Sequence, residues 1–152
     1  ITLPRIEEFN RRLLGKSGTV GVVALDESGV IAAGTSTGGT GNETTGRVSD
    51  VPTVAGTFAS PLAGVSATGR GEDIVNMAAA ARLVTAVELG QPLRQAITDL
   101  LGLTRDRNGK FGLVAIDHLG NIVVDTTTED IFYASFDGRT LETFDPLHDA
   151  PF

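Results

Sequence analysis

Two stretches of this chain carry the same pattern, and that pattern limits the fold more than any other feature of the sequence. TVGVVALD at 19–26 leads through Glu27-Ser28-Gly29 into VIAAGTST at 30–37. GLVAID at 112–117 leads through His118-Leu119-Gly120 into NIVVDT at 121–126, with Asp117 standing where Asp26 stood and Gly120 where Gly29 stood. β-Branched residues on either side of a short glycine-containing turn predict a hairpin. The chain therefore holds two copies of one local unit, and they point to an antiparallel sheet. Runs such as VVAL and LVAI are apolar at consecutive positions, so both faces of these strands need cover.

Between the two units lie a polar loop at 38–50 (GGTGNETTGRVSD) and short strand-like runs near 53–58 and 62–68. From Glu72 to Leu89 the spacing predicts one helix, with Ile74, Met77, Ala78, Ala81, Val84, Thr85 and Leu89 on one side and Gly90 as its stop. Pro92 opens a second helix, over roughly 92–103, with Leu93, Ile97, Leu100 and Leu101 apolar. Strands followed by two consecutive helices imply α+β layering. Ahead of the first strand, LPRIEEFNRRLL at 3–14 has helical spacing with Thr2 as its cap, and GKSG at 15–18 reads as a linker. The chain thus divides into a leading segment, 1–18, a main domain, 19–140, and a poorly anchored tail, 141–152.

Composition removes several classes of function. A chain of 152 residues suits one domain, and 41% hydrophobic residues argue against a wholly disordered one. No apolar run is long enough for a membrane span. Cysteine is absent, so there is no disulfide framework and no thiolate zinc site. Two histidines, His118 and His148, are too few for a multi-histidine metal centre, and His148 in DPLHD reads as a solvated tail residue. A net charge of −7 disfavours a nucleic-acid partner. The opening Ile1-Thr2-Leu3-Pro4 lacks an initiator methionine, a basic n-region and an apolar h-region, which reads as an internal piece of a longer, cytoplasmic gene product.

What remains in quantity is glycine and threonine, 19 and 18 residues. Most threonines in such a chain fill strands and turns, and three clusters have spacings that could serve a mechanism. In Gly18-Thr19-Val20-Gly21, scission before Thr19 frees an α-amine that can act as base for the hydroxyl of the same residue. Such an amine titrates at about 7.7–8. In Thr35-Ser36-Thr37-Gly38-Gly39, positions 35 and 37 share one face of a strand, and a hairpin centred on Ser28 returns Thr37 to Thr19. That pair serves equally well as cross-strand packing. In Ser66-Ala67-Thr68-Gly69-Arg70-Gly71-Glu72, free N–H groups at a strand–helix junction suit an oxyanion, though a plain turn explains the same residues. Arg47 and Asp50, close together in the polar loop, suit the carboxylate and ammonium of an amino acid, or form a surface ion pair.

Taken in order, GTVG, TSTGG, GRVSD and SATGRGE closely resemble the β-subunit of the plant-type L-asparaginase / isoaspartyl peptidase family, N-terminal-nucleophile hydrolases related to glycosylasparaginase. The resemblance covers about residues 18–135. It implies a four-layer α/β/β/α sandwich of which this chain supplies roughly half, with residues 1–18 ending the α-subunit. By the same resemblance, autocleavage between Gly18 and Thr19 exposes Thr19 as nucleophile, assisted by Thr37. Arg47 holds the substrate α-carboxylate, Asp50 its α-amine, and Thr68 and Gly69 form the oxyanion hole, with Gly71 beside the bound substrate. The chain departs from the usual family pattern at Glu43, Ser49 and Arg70.

The implied reaction is hydrolysis of L-asparagine and of β-aspartyl (isoaspartyl) peptides, releasing L-aspartate. Implied partners are the α-subunit from the same precursor and a second αβ unit, with a small-molecule or dipeptide substrate. A structural sodium or potassium ion would bind outside this segment, with no metal at the site and no other cofactor. Other readings are a glycosylasparaginase-type amidase, a threonine endopeptidase of the taspase kind, and an unprocessed homologue acting as a binding or structural protein.

Overall fold

A computed structural model describes residues 18–39, 43–129 and 131–144. In chain order its elements are β1 (Thr19–Leu25), β2 (Ile31–Thr37), β3 (Thr57–Ala59), β4 (Ala63–Gly69), α1 (Gly71–Met77), α2 (Ala79–Glu88), α3 (Leu93–Asp106), β5 (Phe111–Asp117), β6 (Ile122–Thr126), β7 (Tyr133–Phe136) and β8 (Leu141–Phe144). The helix expected over 3–14 with its Thr2 cap, the linker residues 15–17, Asn42 and His148 lie outside the described residues.

Both repeated units form hairpins, and one device closes each turn. Asp26 Oδ1 accepts the backbone N–H groups of Ser28 (2.8 Å) and Val30 (2.9 Å). Asp117 Oδ1 accepts those of Leu119 and Asn121, each at 3.0 Å. An aspartate that caps its own turn leaves the next corner to a left-handed residue, and Gly29 and Gly120 supply it at φ 86° and 81°.

The two hairpins do not share a sheet. β5 and β6 belong to a four-stranded antiparallel sheet in the order β3-β4-β5-β6, while β1 and β2 form a separate pair. The pair stacks on the larger sheet because both layers carry glycine at the contact. A Cβ on Gly21 would overlap Ser66 Oγ, and one on Gly64 would lie 2.6 Å from Ile31 Cγ2. The opposite face of the larger sheet packs Val65, Ala67, Phe111, Leu113 and Ala115 against Ile74, Leu83, Val84, Ile97 and Leu101 of the helices. Each of the larger apolar side chains contributes about 1.5–3 kcal/mol on burial.

The layers are thus helices, four-stranded sheet and hairpin. Strand β5 has the cover on both faces that its sequence asks for. On β1, by contrast, Val20 and Val22 face outward and are 75% and 61% exposed.

Four local expectations change. The helix over 72–89 is two helices, because Ala78 takes a left-handed conformation (φ 48°, ψ 46°). The first turn of α2 finds acceptors in another loop: Ala80 N–H donates to Ala55 O at 2.8 Å and Ala81 N–H to Val54 O at 2.9 Å. This break rotates the buried face to Ala79, Ala80, Leu83, Val84 and Val87, leaving Ala78, Thr85 and Leu89 exposed. Residues 53–56 form a turn, not a strand, because Thr53 folds its N–H and hydroxyl back onto Asp50 O. α3 runs past 103 to Asp106, its last turn anchored by buried Thr104, whose hydroxyl donates to Leu100 O. Finally, 141–144, expected as the start of a poorly anchored tail, is strand β8, paired with β7 and stacked through Tyr133 and Phe144, while 145–152 lie outside the described residues. Among the described residues no helix is long and apolar enough to cross a membrane.

Candidate active site

Thr19 opens β1 and lies directly opposite Thr37, the last residue of β2. Thr19 Oγ1 donates to Thr37 Oγ1 at 3.1 Å, and Thr37 Oγ1 also accepts the N–H of Gly39 at 3.0 Å. The proton of Thr37 points to Gly18 O at 3.3 Å, an oxygen that also receives Gly38 N–H at 3.3 Å. The carbonyl preceding Thr19 is therefore polarised by two donors, and the Thr19 hydroxyl is tethered beside it.

Register brings Thr68 to the same end of the molecule. Ile31 meets Gly64 and Thr35 meets Ser66, so β2 runs along β4 in the same direction. Two residues further on, Thr37 and its partner Thr19 stand at the Thr68 end of β4. Beneath them, Thr57 Oγ1 donates to Thr35 Oγ1, which in turn lies 2.6 Å from Ser66 Oγ. This chain of hydroxyls joins the hairpin to the sheet.

Gly69 continues the strand at φ 132°, where a Cβ would lie 2.6 Å from Phe111 Cα. Only glycine fits that close backbone approach. Arg70 N–H then donates to Lys110 O at 2.8 Å, and α1 begins.

Residues 47–50 of the polar loop close over this junction. Asp50 is buried, 4% exposed, and its Oδ1 accepts the Ser49 hydroxyl at 2.6 Å. A Cβ on Gly71 would stand 2.7 Å from Asp50 Oδ1, 2.8 Å from Ser49 Oγ and 3.4 Å from Arg47 Nη2. Arg47 and Asp50 thus converge on one point beside Gly71, a cation donor on one side and a carboxylate on the other.

The charge pairing differs from the simple Arg47–Asp50 pair that the sequence suggests. Arg47 Nη2 donates to Glu72 Oε1 at 2.7 Å and Nη1 to Glu43 Oε1 at 3.5 Å. The hydrogen bond from Arg47 holds the Glu72 carboxyl below its ordinary value, and the same bond raises the guanidinium further above its own. The sequence marks Glu43 and Ser49 only as departures from the family pattern and does not show their contacts, the hydroxyl of Thr57 or the pairing of Glu72. Glu72 is visible in the sequence only as a favourable first-turn residue, and its partner lies 25 positions away. Among the described residues no group of three or more His, Cys, Asp or Glu side chains is arranged to hold a metal ion.

Comparison with known proteins agrees with these motifs. The family model described as Asparaginase matches residues 6–144. An isoaspartyl peptidase/L-asparaginase from Synechocystis is 46% identical over 137 residues, 88% of this chain and 42% of that protein. The isoaspartyl peptidase of Escherichia coli is 39% identical over 78% of this chain and 38% of its own length. A plant-type L-asparaginase from Pyrococcus horikoshii is 38% identical over 76% of this chain and 39% of that protein. The chain spans about two fifths of the length of these relatives. On the family match and the ordered motifs, this chain belongs to the asparaginase family.

Proposed function

We propose that this chain carries the nucleophile half of an autocleaving threonine hydrolase acting on L-asparagine and β-aspartyl peptides. The observation that carries the reading is the hydrogen-bonded group of Thr19, Thr37 and the Gly18 carbonyl, set at the end of β4 that leads to Arg47, Asp50 and Gly71. In the first reaction the Thr19 hydroxyl attacks the Gly18 carbonyl carbon, while Thr37 Oγ1–H and Gly38 N–H support the developing charge on Gly18 O. Collapse of that intermediate breaks the Gly18–Thr19 C–N bond as the hydroxyl proton passes to the departing nitrogen, and water then cleaves the resulting ester, leaving a carboxylate on Gly18 and restoring the Thr19 hydroxyl beside a free α-amine at a new N-terminus.

That amine then serves as base for the same hydroxyl. The hydroxyl attacks the side-chain carbonyl of asparagine, and Thr68 and Gly69 support the oxyanion. Ammonia, or the amine of the following residue in a β-aspartyl peptide, takes a proton and leaves. Water cleaves the β-aspartyl ester to release L-aspartate. Arg47 holds the substrate α-carboxylate and buried Asp50 its ammonium, each within reach of the point at Gly71.

The complete enzyme is a four-layer α/β/β/α sandwich in the cytoplasm. An α-subunit from the same precursor covers the exposed Val20–Val22 face, and two αβ units pair. The names of the relatives support the substrate class. Mass spectrometry of the full-length gene product, wild type and Thr19→Ala, tests the reading. The wild type yields a fragment starting at Thr19 and releases ammonia from asparagine, and the variant does neither. A variant that is still cut and still active defeats the proposal, and faster turnover of glycosylated asparagine than of asparagine moves it to the glycosylasparaginase type.

A further inference from the structure

Glu72 belongs to none of the reacting groups above, yet among the described residues it makes the shorter of the two ion pairs of Arg47. Arg47 rises from residues 43–50, a loop without helix or strand, on a side chain with several free rotations. Of its two carboxylate partners among the described residues, Glu43 stands at 3.5 Å and Glu72 at 2.7 Å, so Glu72 is the tether. Glu72 is also the residue after Gly71, in the segment that carries Thr68 and Gly69. The contact therefore ties the clamp loop to the backbone on which the substrate would be processed. Glu72 uses one oxygen on one guanidinium nitrogen. An arginine has five N–H donors, so others remain for a second carboxylate.

We infer that Glu72 is a positioning residue for substrate recognition: it holds the Arg47 guanidinium beside Asp50 at Gly71, ready for the α-carboxylate of the substrate. The inference rests on the proposed role of Arg47. Without Glu72, the guanidinium must be ordered by the ligand itself, which weakens ground-state binding and transition-state binding alike. Such a loss appears in KM with kcat preserved. The Glu72 side chain is 61% exposed, so its replacement removes no core packing.

The test uses the full-length gene product carrying Glu72→Ala or Glu72→Gln, with asparagine turnover and calorimetric binding of L-aspartate as readouts. In Glu72→Ala, KM for asparagine and Kd for aspartate both rise about fivefold to tenfold while kcat stays within about twofold. Glu72→Gln keeps an acceptor oxygen and recovers most of the affinity. An unchanged KM and Kd in Glu72→Ala, a fall in kcat at constant KM, or equal losses in the two variants overturns the inference. A wild type that binds aspartate without hydrolysing asparagine refutes the proposed reaction and leaves the Kd comparison to decide the role of Glu72. A wild type that does not bind aspartate refutes both.

Discussion

At the residue scale the site is a set of hydroxyls and one guanidinium, and their pH behaviour can be separated. The Glu72 carboxyl is held below its ordinary value of 4.5 by the hydrogen bond from Arg47. A carboxyl lowered in the folded state contributes fully above its unfolded value and loses that contribution as pH falls through the lowered one. The Arg47–Glu72 contact is therefore expected to hold at pH above the ordinary carboxyl value and to open as pH falls through the lowered one. The α-amine that the proposed cleavage would free at Thr19 behaves differently, because it must be neutral to act as base, and an ordinary α-amine titrates at about 7.7–8. The acid limb of kcat/KM in the processed enzyme should fall about tenfold per unit well below that value. The same limb, at the same midpoint, is expected in Glu72→Gln. A midpoint that moves with Glu72, measured across pH 5–9, would contradict this division of labour.

Individual residues also differ in how openly the sequence shows them. Thr19, Thr37, Arg47, Asp50, Thr68, Gly69 and Gly71 are proposed from motifs alone, and the hairpin arithmetic that puts Thr37 opposite Thr19 needs only the turn at Ser28. Ser49 against Asp50, and Glu72 against Arg47, are set by the tertiary fold. Their partners are fixed by how a loop folds over a strand end, and no period in the sequence encodes that.

At the scale of elements, hairpins were the most legible feature and the long helix the least. A hairpin turn is held by contacts within five residues, such as Asp26 to Ser28 and Val30, so its signal is local. The break at Ala78 is not local. It exists because Val54 O and Ala55 O capture the N–H groups of Ala81 and Ala80, an arrangement set by the packing of the 50–56 turn against α2. A left-handed alanine carries a steric cost of roughly 1–2 kcal/mol that glycine avoids, partly offset by the greater freedom of glycine in the unfolded chain. Ala78→Gly is therefore expected to raise stability by up to about 1 kcal/mol, and Ala78→Val, β-branched at a positive φ, to lower it. Denaturant unfolding of both variants checks the sign. If glycine destabilises and valine does not, residues 72–89 do not break where the structure has them break.

For the whole molecule, the layers do not close. Three layers are present in the described residues, and the outward face of β1 ends in exposed Val20 and Val22. Because the chain spans about two fifths of its relatives, the proposed complete protein has ample chain to cover that face. The pair Val20→Lys/Val22→Lys discriminates. In residues 1–152 alone, lysines on an exposed face shift stability by no more than about 0.5 kcal/mol each. In the full-length product, burying two unpaired ammonium groups costs roughly 3 kcal/mol or more. Thermal unfolding of both proteins measures the contrast, and equal tolerance in the two would mean that nothing packs there.

The amino-acid order alone determined the hairpins, the helical stretches and an ordered set of threonine, Arg/Asp and glycine-junction motifs, because each depends on residues only a few positions apart. The fold decided that the two like hairpins lie in different layers, that Ala78 breaks a helix, and that Glu72 holds Arg47. Those outcomes come from contacts between segments distant in the chain. There, glycines such as Gly21 and Gly64 let backbones approach, and hydrogen-bond donors take whichever acceptor the packing brings near.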